Sequence, residues 1–398
     1  MSKSTGIGFG RGWDGREAAR QAVQQALDAL GGNRPALALV FMAQEFSGPE
    51  ILQTLIGQLG NIPVWGFSTT CPLSADGEQP RSIGVVLLSG SGYKAHVNWL
   101  ANFAQDVNGA ATQFARAVRN QAGLAQGIIQ ASAQALLLAA DGVNGDASQL
   151  CETINQMNIH VAGCLASGDY RQGRTICLGG NHAESGALSA LFLGGQLRLG
   201  LGMGHGWKDT GWSWKVTRVR DMWVQGLDDV APARAFAAAL GYPENEWAFP
   251  PLSDYVRLYA LGIETGGPEA LLLRSPLRME VDGNLRMNAR VPEGQTAHLM
   301  VGDPDACLSA ARLAAGEALR SLGSAAPLVG LVLIDQAWQA LLEGRMDAFF
   351  KQVREALPDI PLIGGYTLGQ LAWPAPGAPT AQLVNQHVLI ALIGEVED

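Results

Sequence analysis

Three stretches of this sequence are variants of one motif: IPVWGFSTT (62–70), IHVAGCLASGD (159–169) and IPLIGGYTLGQ (360–370). Each has a short apolar run before a glycine and hydroxylated residues after it. An apolar run of this length is typical of a buried strand, and glycine lets backbone segments approach closely where a strand ends. This glycine motif therefore predicts one strand-to-loop junction at three places in the chain.

The similarity continues on both sides of each glycine motif. Residues 38–66 and 135–163 align without a gap as an apolar run, a polar turn, a helical pattern and the motif, and 328–364 shows the same order with a longer insert. Further upstream each copy has a strand, a connector and an alanine-rich helix, and downstream each closes with another apolar strand. Asp14, Asp106 and Asp303 are predicted to begin the alanine-rich helices, because a carboxylate accepts the free amide hydrogens there.

Three related units are predicted, over residues 5–92, 93–196 and 296–395. Between the second and third lies a tryptophan-rich stretch of different character, and EWAFPP (246–251) is the predicted domain boundary. We therefore predict an α/β protein with mixed β-sheets flanked by helices, built from about three related β-α-β-α-β-β units. Its two domains are predicted over 1–245 and 246–398.

The composition argues against several classes of protein. The 398 residues are 47% apolar and carry a net charge of −9, whereas a nucleic-acid-binding protein needs a basic face. No apolar stretch is long enough for a membrane span, and the N-terminus lacks the apolar core of a signal peptide. The five cysteines form no CxxC pair, which favours a reducing compartment and no metal site. We therefore expect a cytoplasmic protein that neither binds nucleic acid nor inserts into a membrane.

The order of motifs resembles the FIST family over nearly the whole chain. The N-terminal FIST domain is suggested by GFSTT (66–70), LLLAADGVNGD (136–146), VAGCLASGD (161–169), GHGW (204–207) and LDDVAPARAFAAALG (227–241). Its C-terminal partner is suggested by LGIE (261–264), the segment 277–311 and GGYTLGQ (364–370). The resemblance implies a sensory protein of signal transduction that binds a small molecule, such as an amino acid or small carboxylate, and acts on a separate signalling partner. A subset of the family binds haem and senses nitric oxide.

The chain departs from the family pattern at three places. Asp335-Gln336-Ala337-Trp338 stands where the family often has a Cys–Arg pair, and Gln370 replaces an acidic residue. Cys71-Pro72 follows GFSTT in place of Gly-Glu. These differences indicate a ligand unlike that of the commoner members.

The loops after the three glycines are the candidate ligand site, because α/β sheets bind ligands at strand ends. The candidate residues are Gly66, Ser68, Thr69, Gly163, Ser167, Asp169, Gly364, Gly365, Tyr366 and Thr367. Their hydroxyls, amides and one carboxylate could hold a polar metabolite. The alternative is that the glycines serve only tight turns and packing.

Two other functions stay open. His205, in the aromatic segment GMGHGW, is the candidate axial ligand for a noncovalent haem, so haem is a possible cofactor and nitric-oxide sensing the alternative function. A hydrolase or transferase working from the Ser/Thr loops is the weaker alternative, since GxSxG and GxxxxGK[ST] are absent. The runs 6–10 and 200–202 only loosely match a dinucleotide fingerprint, which needs GxGxxG before a helix. We therefore expect a non-catalytic protein.

Overall fold

The computed structural model describes residues 4–121, 135–157, 159–169, 172–264, 271–372 and 380–396. Within these residues the strands β1 to β24 are, in chain order, Thr5–Arg11, Leu37–Ala43, Val64–Thr69, Pro72–Ser74, Gly77–Glu78, Ser82–Leu88, Tyr93–Leu100, Ala135–Ala140, His160–Ala166, Cys177–Gly179, His182–Glu184, Leu188–Gly195, Leu197–Gly204, Trp207–Arg220, Trp223–Leu227, Tyr259–Glu264, Leu271–Arg274, Pro276–Met279, Leu285–Met287, Thr296–Gly302, Ala326–Asp335, Leu362–Ala372, Gln382–Val384 and Val388–Glu395. The helices α1 to α9 are Gly15–Leu30, Gly48–Leu59, Val107–Gln121, Ser148–Asn155, Pro232–Leu240, Leu252–Tyr255, Pro304–Leu322, Ala337–Leu341 and Met346–Ala356. Single 3-10 turns precede and follow α6, at Glu244–Glu246 and Val256–Leu258.

The described strands form three sheets. The first has the order β1-β6-β2-β3-β10-β11. The second follows the path β13-β24-β21-β22-β9-β8-β12-β7, with β23 and β4 also paired to β22 and β5 to β4. The third has the order β17-β16-β20-β14-β15-β19-β18. Parallel and antiparallel pairs occur together in the first two sheets, which confirms the predicted mixed α/β class.

The three glycine motifs lie on β3, β9 and β22. Each of these strands pairs in parallel with the strand that precedes it in its unit, β2, β8 or β21. All residues of β3 and β22 are buried, as are all but the first of β9. The prediction of buried motif strands is therefore confirmed.

The first two sheets pack face to face and carry helices on their outer faces. Phe41 and Trp65 of the first sheet share one apolar core with Leu137 and Leu331 of the second. α1 and α2 cover the outer face of the first sheet, while α3, α4, α7 and α9 cover that of the second. Strands buried on both faces must be apolar at successive positions, which explains runs such as LALVFMA in β2.

Two of the alanine-rich helices pack directly against glycine-rich strands. A Cβ at Gly8 of β1 would lie 2.1 Å from the carbonyl oxygen of Ala22 in α1. A Cβ at Gly202 of β13 would likewise lie 2.0 Å from the carbonyl oxygen of Ala314 in α7. Both glycine runs therefore let a helix backbone lie directly on a strand, which accounts for the two runs that loosely match a dinucleotide fingerprint.

This packing corrects the third unit. The sequence prediction took 296–302, now β20, as its first strand because it precedes α7. Instead β13 pairs with β24 and packs on α7, as β1 pairs with β6 and packs on α1. β20 pairs with β14 and β16 in the third sheet, so the strand predicted to begin the third unit belongs to a different sheet.

The third sheet and α5 form a separate apolar core around Trp214, Phe236 and Trp247. Strands from both sides of the boundary predicted at Glu246 belong to this sheet, and β9 pairs with β22 in the second. The predicted helix starts are confirmed: Asp14, Asp106 and Asp303 each accept amide hydrogens in the first turn of α1, α3 and α7.

Candidate functional site

The ends of β3, β9 and β22 meet, so the three glycine motifs form one structure, which we call the motif junction. Ser68 Oγ donates to the Ser167 carbonyl oxygen at 2.7 Å, and Ser167 Oγ donates to the Tyr366 carbonyl oxygen at 2.6 Å. Thr69 Oγ1 donates to the same Tyr366 oxygen at 2.9 Å. Two hydroxyls of the first motif and one of the second thus link these motifs to each other and to the third.

These hydroxyls are buried and already have protein partners. Ser68 Oγ also accepts the Ile176 amide at 2.8 Å, and Ser167 Oγ accepts the Thr70 amide at 3.1 Å. Thr367 Oγ1 donates to the Ile334 carbonyl oxygen and accepts from Gln370 Nε2. The structure therefore gives Ser68, Thr69, Ser167 and Thr367 roles in joining strands.

The motif glycines permit close backbone contacts. A Cβ at Gly66 would lie 2.1 Å from the Val40 carbonyl oxygen, and one at Gly364 would lie 1.8 Å from that of Val332. At Gly365 it would lie 2.8 Å from Thr69 Oγ1.

Two predicted residues differ in their surroundings. Gly163 is less crowded, since its added Cβ would lie 3.0 Å from Leu371 Cβ. Asp169 is placed apart from the junction hydrogen bonds described above, where its carboxylate accepts the Gln172 amide. The predicted set is therefore only partly one cluster.

A cavity of about 410 Å³ lies beside the motif junction. It is lined by Glu78, Asp254, Arg257, Leu258, Gln336, Ala337, Gln339, Ala340, Glu343, Gly344 and Met346. Tyr366 connects the junction to this cavity, because its hydroxyl donates to Glu78 Oε1 at 2.8 Å. Gln339 Nε2 donates to the same oxygen at 3.1 Å, which fixes the carboxylate on the cavity wall. We call this the Arg257 cavity.

Arg257 gives the cavity its most specific chemistry. Its residue is 5% exposed, and Nη2 donates to Asp335 Oδ1 at 3.0 Å. Among the residues that the structure describes, Nε and Nη1 have no hydrogen-bond partner. Gln336 Oε1, also buried, has none either. Buried polar atoms are normally paired, so two donors and one acceptor at the wall of a cavity point to a missing ligand or water.

The fold holds Arg257 through Asp335, the last residue of β21. Asp335 Oδ1 also accepts the Ala337 amide, and Oδ2 accepts the Gln386 amide at 2.9 Å. Asp141 follows β8 and is held in a comparable way by the amides of Val143 and Gly186. The cavity thus lies at the carboxyl ends of the parallel strands β21 and β22, the usual place for ligands in α/β sheets.

The acid–base properties of the site suit binding better than nucleophilic attack. Burial, followed by the charge of Glu78, raises the pKa of Tyr366, so the phenol stays a neutral donor. Burial also raises the pKa of Cys71 to about 12, so its thiol is protonated at neutral pH.

His205 does not have the tautomer that an axial haem ligand requires. Its Nδ1 accepts the Trp207 amide at 3.1 Å, so in the neutral ring Nε2 carries the proton. The pKa of His205 is lowered because neighbouring atoms desolvate the ring, which keeps it neutral. Its ring lies 4.7 Å from that of His387. Iron could bind Nε2 only after the Trp207 hydrogen bond is broken, so the residues present do not fit haem as they stand.

Sequence reasoning missed Arg257, Glu78, Gln336 and Gln339 as site residues. Gln336 and Ala337 line the cavity at the place where the chain departs from the family's Cys–Arg pattern, so that departure was a usable signal. Arg257 lies in LSDYVRLY, which has no recognisable motif.

None of the helices in the described part of the chain is long and apolar enough to span a membrane.

Fold and site together define a mixed α/β protein with a cavity at the ends of its parallel strands. The chain belongs to the FIST family: the FIST N domain matches residues 36–230 and the FIST C domain matches residues 233–372. These are sensory domains that bind small ligands in signal transduction.

Known structures and curated proteins add little to this assignment. A comparison with curated proteins found no match. Similar solved structures include a chorismatase, with 10% identity, a TM-score of 0.35 and 99% of each chain covered. A cyanuric acid hydrolase from A. caulinodans has 11% identity and a TM-score of 0.25, covering 48% of this chain and 71% of its own. PurLQS from Thermotoga maritima has 11% identity and a TM-score of 0.25, covering 99% of this chain and 72% of its own. These TM-scores are too low to carry an argument about function.

Proposed function

We propose that this protein is a non-catalytic sensor that binds an amino acid or small carboxylate in the Arg257 cavity. The observation that carries the proposal is the buried guanidinium, whose Nε and Nη1 have no partner among the described residues. These two atoms lie on different edges of the guanidinium, so a ligand carboxylate accepts a charge-assisted hydrogen bond from one of them, a bond stronger than one between neutral groups. The cavity volume of about 410 Å³ lies within the usual range for small-ligand sites.

The cavity offers a route from ligand to signal. Glu78 comes from the first predicted unit, Arg257 from the 3-10 turn between β15 and β16 of the third sheet, and Gln336 from the third predicted unit. A ligand that contacts all three stabilises one packing of these segments over others, which is a population shift. We propose that a separate signalling protein in the cytoplasm recognises the stabilised packing.

Catalysis has less support than binding. The junction hydroxyls are buried and joined to other strands, while the Cys71 thiol is protonated. Haem sensing through His205 needs a different tautomer from the one present. Neither alternative accounts for the unpartnered donors of Arg257.

The test is a thermal-shift and calorimetric screen of the full chain with L-amino acids and small mono- and dicarboxylates. A ligand present at 100 times its Kd stabilises the folded state by about 2.7 kcal/mol, which a melting curve resolves. We expect at least one carboxylate-bearing compound to raise Tm and to lose its effect in Arg257→Lys. If no such compound binds the folded protein, the proposal is wrong.

A further inference from the structure

The Arg257 cavity carries more negative than positive charge. Arg257 is ion-paired with Asp335, so these two charges offset each other. Glu78 on the wall and Asp254 and Glu343 among the lining residues add three carboxylates without a second lysine or arginine in the lining. A ligand with only a carboxylate adds a further negative charge to this lining.

We propose that the ligand is a cationic amino acid, with one carboxylate, an α-ammonium group and a second positive group at the far end. This inference rests on the proposed function and names the ligand class of the same site. The carboxylate accepts from Nε or Nη1 of Arg257, which have no hydrogen-bond partner among the described residues. The α-ammonium donates to Gln336 Oε1, the buried acceptor that also lacks a partner there. The second positive group faces the carboxylates of Glu78, Asp254 and Glu343.

The three carboxylates differ in burial and hydrogen bonding, so they should contribute unequally to the affinity for a cationic ligand. Glu78 is half-buried and fixed by Tyr366 and Gln339, so it is pre-organised to receive a charged donor. Asp254 and Glu343 are exposed, so water and salt weaken their attraction for a cation. Glu78 should therefore contribute most to affinity, and the other two should contribute in a salt-dependent way.

The same charges disfavour other amino acids. An acidic side chain would place a negative charge among three carboxylates, and like charges in one site repel. An aliphatic side chain would leave Glu78 without a partner of opposite charge. The expected order of affinity is cationic, then neutral, then acidic.

The experiment is isothermal titration calorimetry of the full-length protein with L-lysine, L-norleucine and L-2-aminoadipate, which share a chain length and differ in end group. We expect lysine to bind about tenfold more tightly than norleucine, since one charged hydrogen bond corresponds to about that factor. Aminoadipate should bind most weakly. Raising the ionic strength should reduce the advantage of lysine.

A matched pair of exposed variants keeps the test independent of folding. Glu343→Gln removes a carboxylate of the cavity and should weaken lysine binding about twofold to fivefold while leaving norleucine unchanged. Glu355→Gln removes an exposed carboxylate of α9 outside the cavity lining and should change neither affinity.

The outcomes separate the two proposals. If norleucine or aminoadipate binds as tightly as lysine, the cationic class is wrong and the proposed sensor function stands. Equal loss of lysine affinity in Glu343→Gln and Glu355→Gln would also overturn it, because the effect would then be one of general charge. If the folded protein binds none of the three compounds, the cationic class is wrong, and the wider carboxylate screen decides the sensor function.

Discussion

Replacement of Ser68 by alanine tests the structural role of the motif junction. The change removes one hydroxyl that donates to the Ser167 carbonyl oxygen at 2.7 Å and accepts the Ile176 amide at 2.8 Å. Both partners are buried, and Ser68 itself is 1% exposed. The variant therefore leaves a buried donor and a buried acceptor without a partner.

The expected loss follows from those two groups. An unsatisfied buried polar group costs about 1–3 kcal/mol, so with two such groups Ser68→Ala should lower the free energy of unfolding by about 2–6 kcal/mol. The control is Ser309→Ala, because Ser309 is exposed and its Oγ donates to the Asp305 carbonyl oxygen within a turn of α7. A surface change of this kind should stay within about 0.5 kcal/mol of wild type.

Urea unfolding followed by tryptophan fluorescence measures both variants, since Trp65, Trp247 and Trp338 are fully buried. Ligand affinity of the folded Ser68→Ala protein should match wild type. If Ser68→Ala is as stable as Ser309→Ala but loses ligand binding, the motif hydroxyls are a ligand site and the structural role assigned to them is wrong.

Three further changes test the packing, titration and ion pairing described above. Gly202→Ala should destabilise the fold strongly, because its Cβ would lie 2.0 Å from the Ala314 carbonyl oxygen. Gly316→Ala, whose Cβ would have nothing within 4 Å, should instead stabilise α7 by about 0.5–1 kcal/mol. Urea unfolding curves whose midpoints shift in the same direction in both variants would contradict this. Burial, followed by the charge of His205, lowers the pKa of His387 to about 3, so the contribution of the neutral ring to stability is present above its ordinary pKa and is lost as pH falls from about 6.5 toward 3. His387→Gln should therefore lose less stability than wild type between pH 6.5 and 5. Stabilities of the two proteins that fall in parallel over this range would refute this. Arg257→Met should lower the free energy of unfolding by about 3–5 kcal/mol, because it leaves the fully buried Asp335 carboxylate without its ion-pair partner. The double variant Asp335→Asn/Arg257→Met should recover part of that loss, and no recovery would show that the two residues are not coupled.

Much of the local structure could be predicted from the sequence. The buried strands β3, β9 and β22 follow from apolar runs of strand length, and Asp14 and Asp303 mark helix starts through their side-chain chemistry. These features depend on neighbouring residues alone, so a local pattern is sufficient to find them.

The third unit shows where local patterns mislead. AHLMVG (297–302) has the composition of a strand and lies directly before α7, so it fits the expected position. The strand that packs on α7 is β13, whose glycines at 200 and 202 make the same backbone contacts as those of β1. Only the close approach of helix and strand distinguishes the two candidates, and that is a tertiary property.

The candidate site could be predicted only in part. The motif residues come together in large part, but their hydroxyls bond to one another's strands. The cavity beside them depends on Glu78 and Gln339, which are 261 positions apart, and on Arg257 and Asp335, which are 78 apart. Sequence spacing does not reveal pairs so far apart. Arg257 lies in the long segment between β13 and α7, and the folding of that segment brings it to the site.

The affinity of Arg257→Lys for L-lysine tests most directly whether the ligand is held by the guanidinium. The Arg257→Lys substitution keeps a positive charge beside Asp335 but removes the Nε and Nη1 donors, so the fold should persist while the guanidinium hydrogen bond to the ligand carboxylate is lost. Calorimetry of the folded variant should show binding weakened at least about tenfold. Affinity equal to wild type, in a variant with an unchanged melting curve, would contradict the assignment of the ligand to the Arg257 cavity.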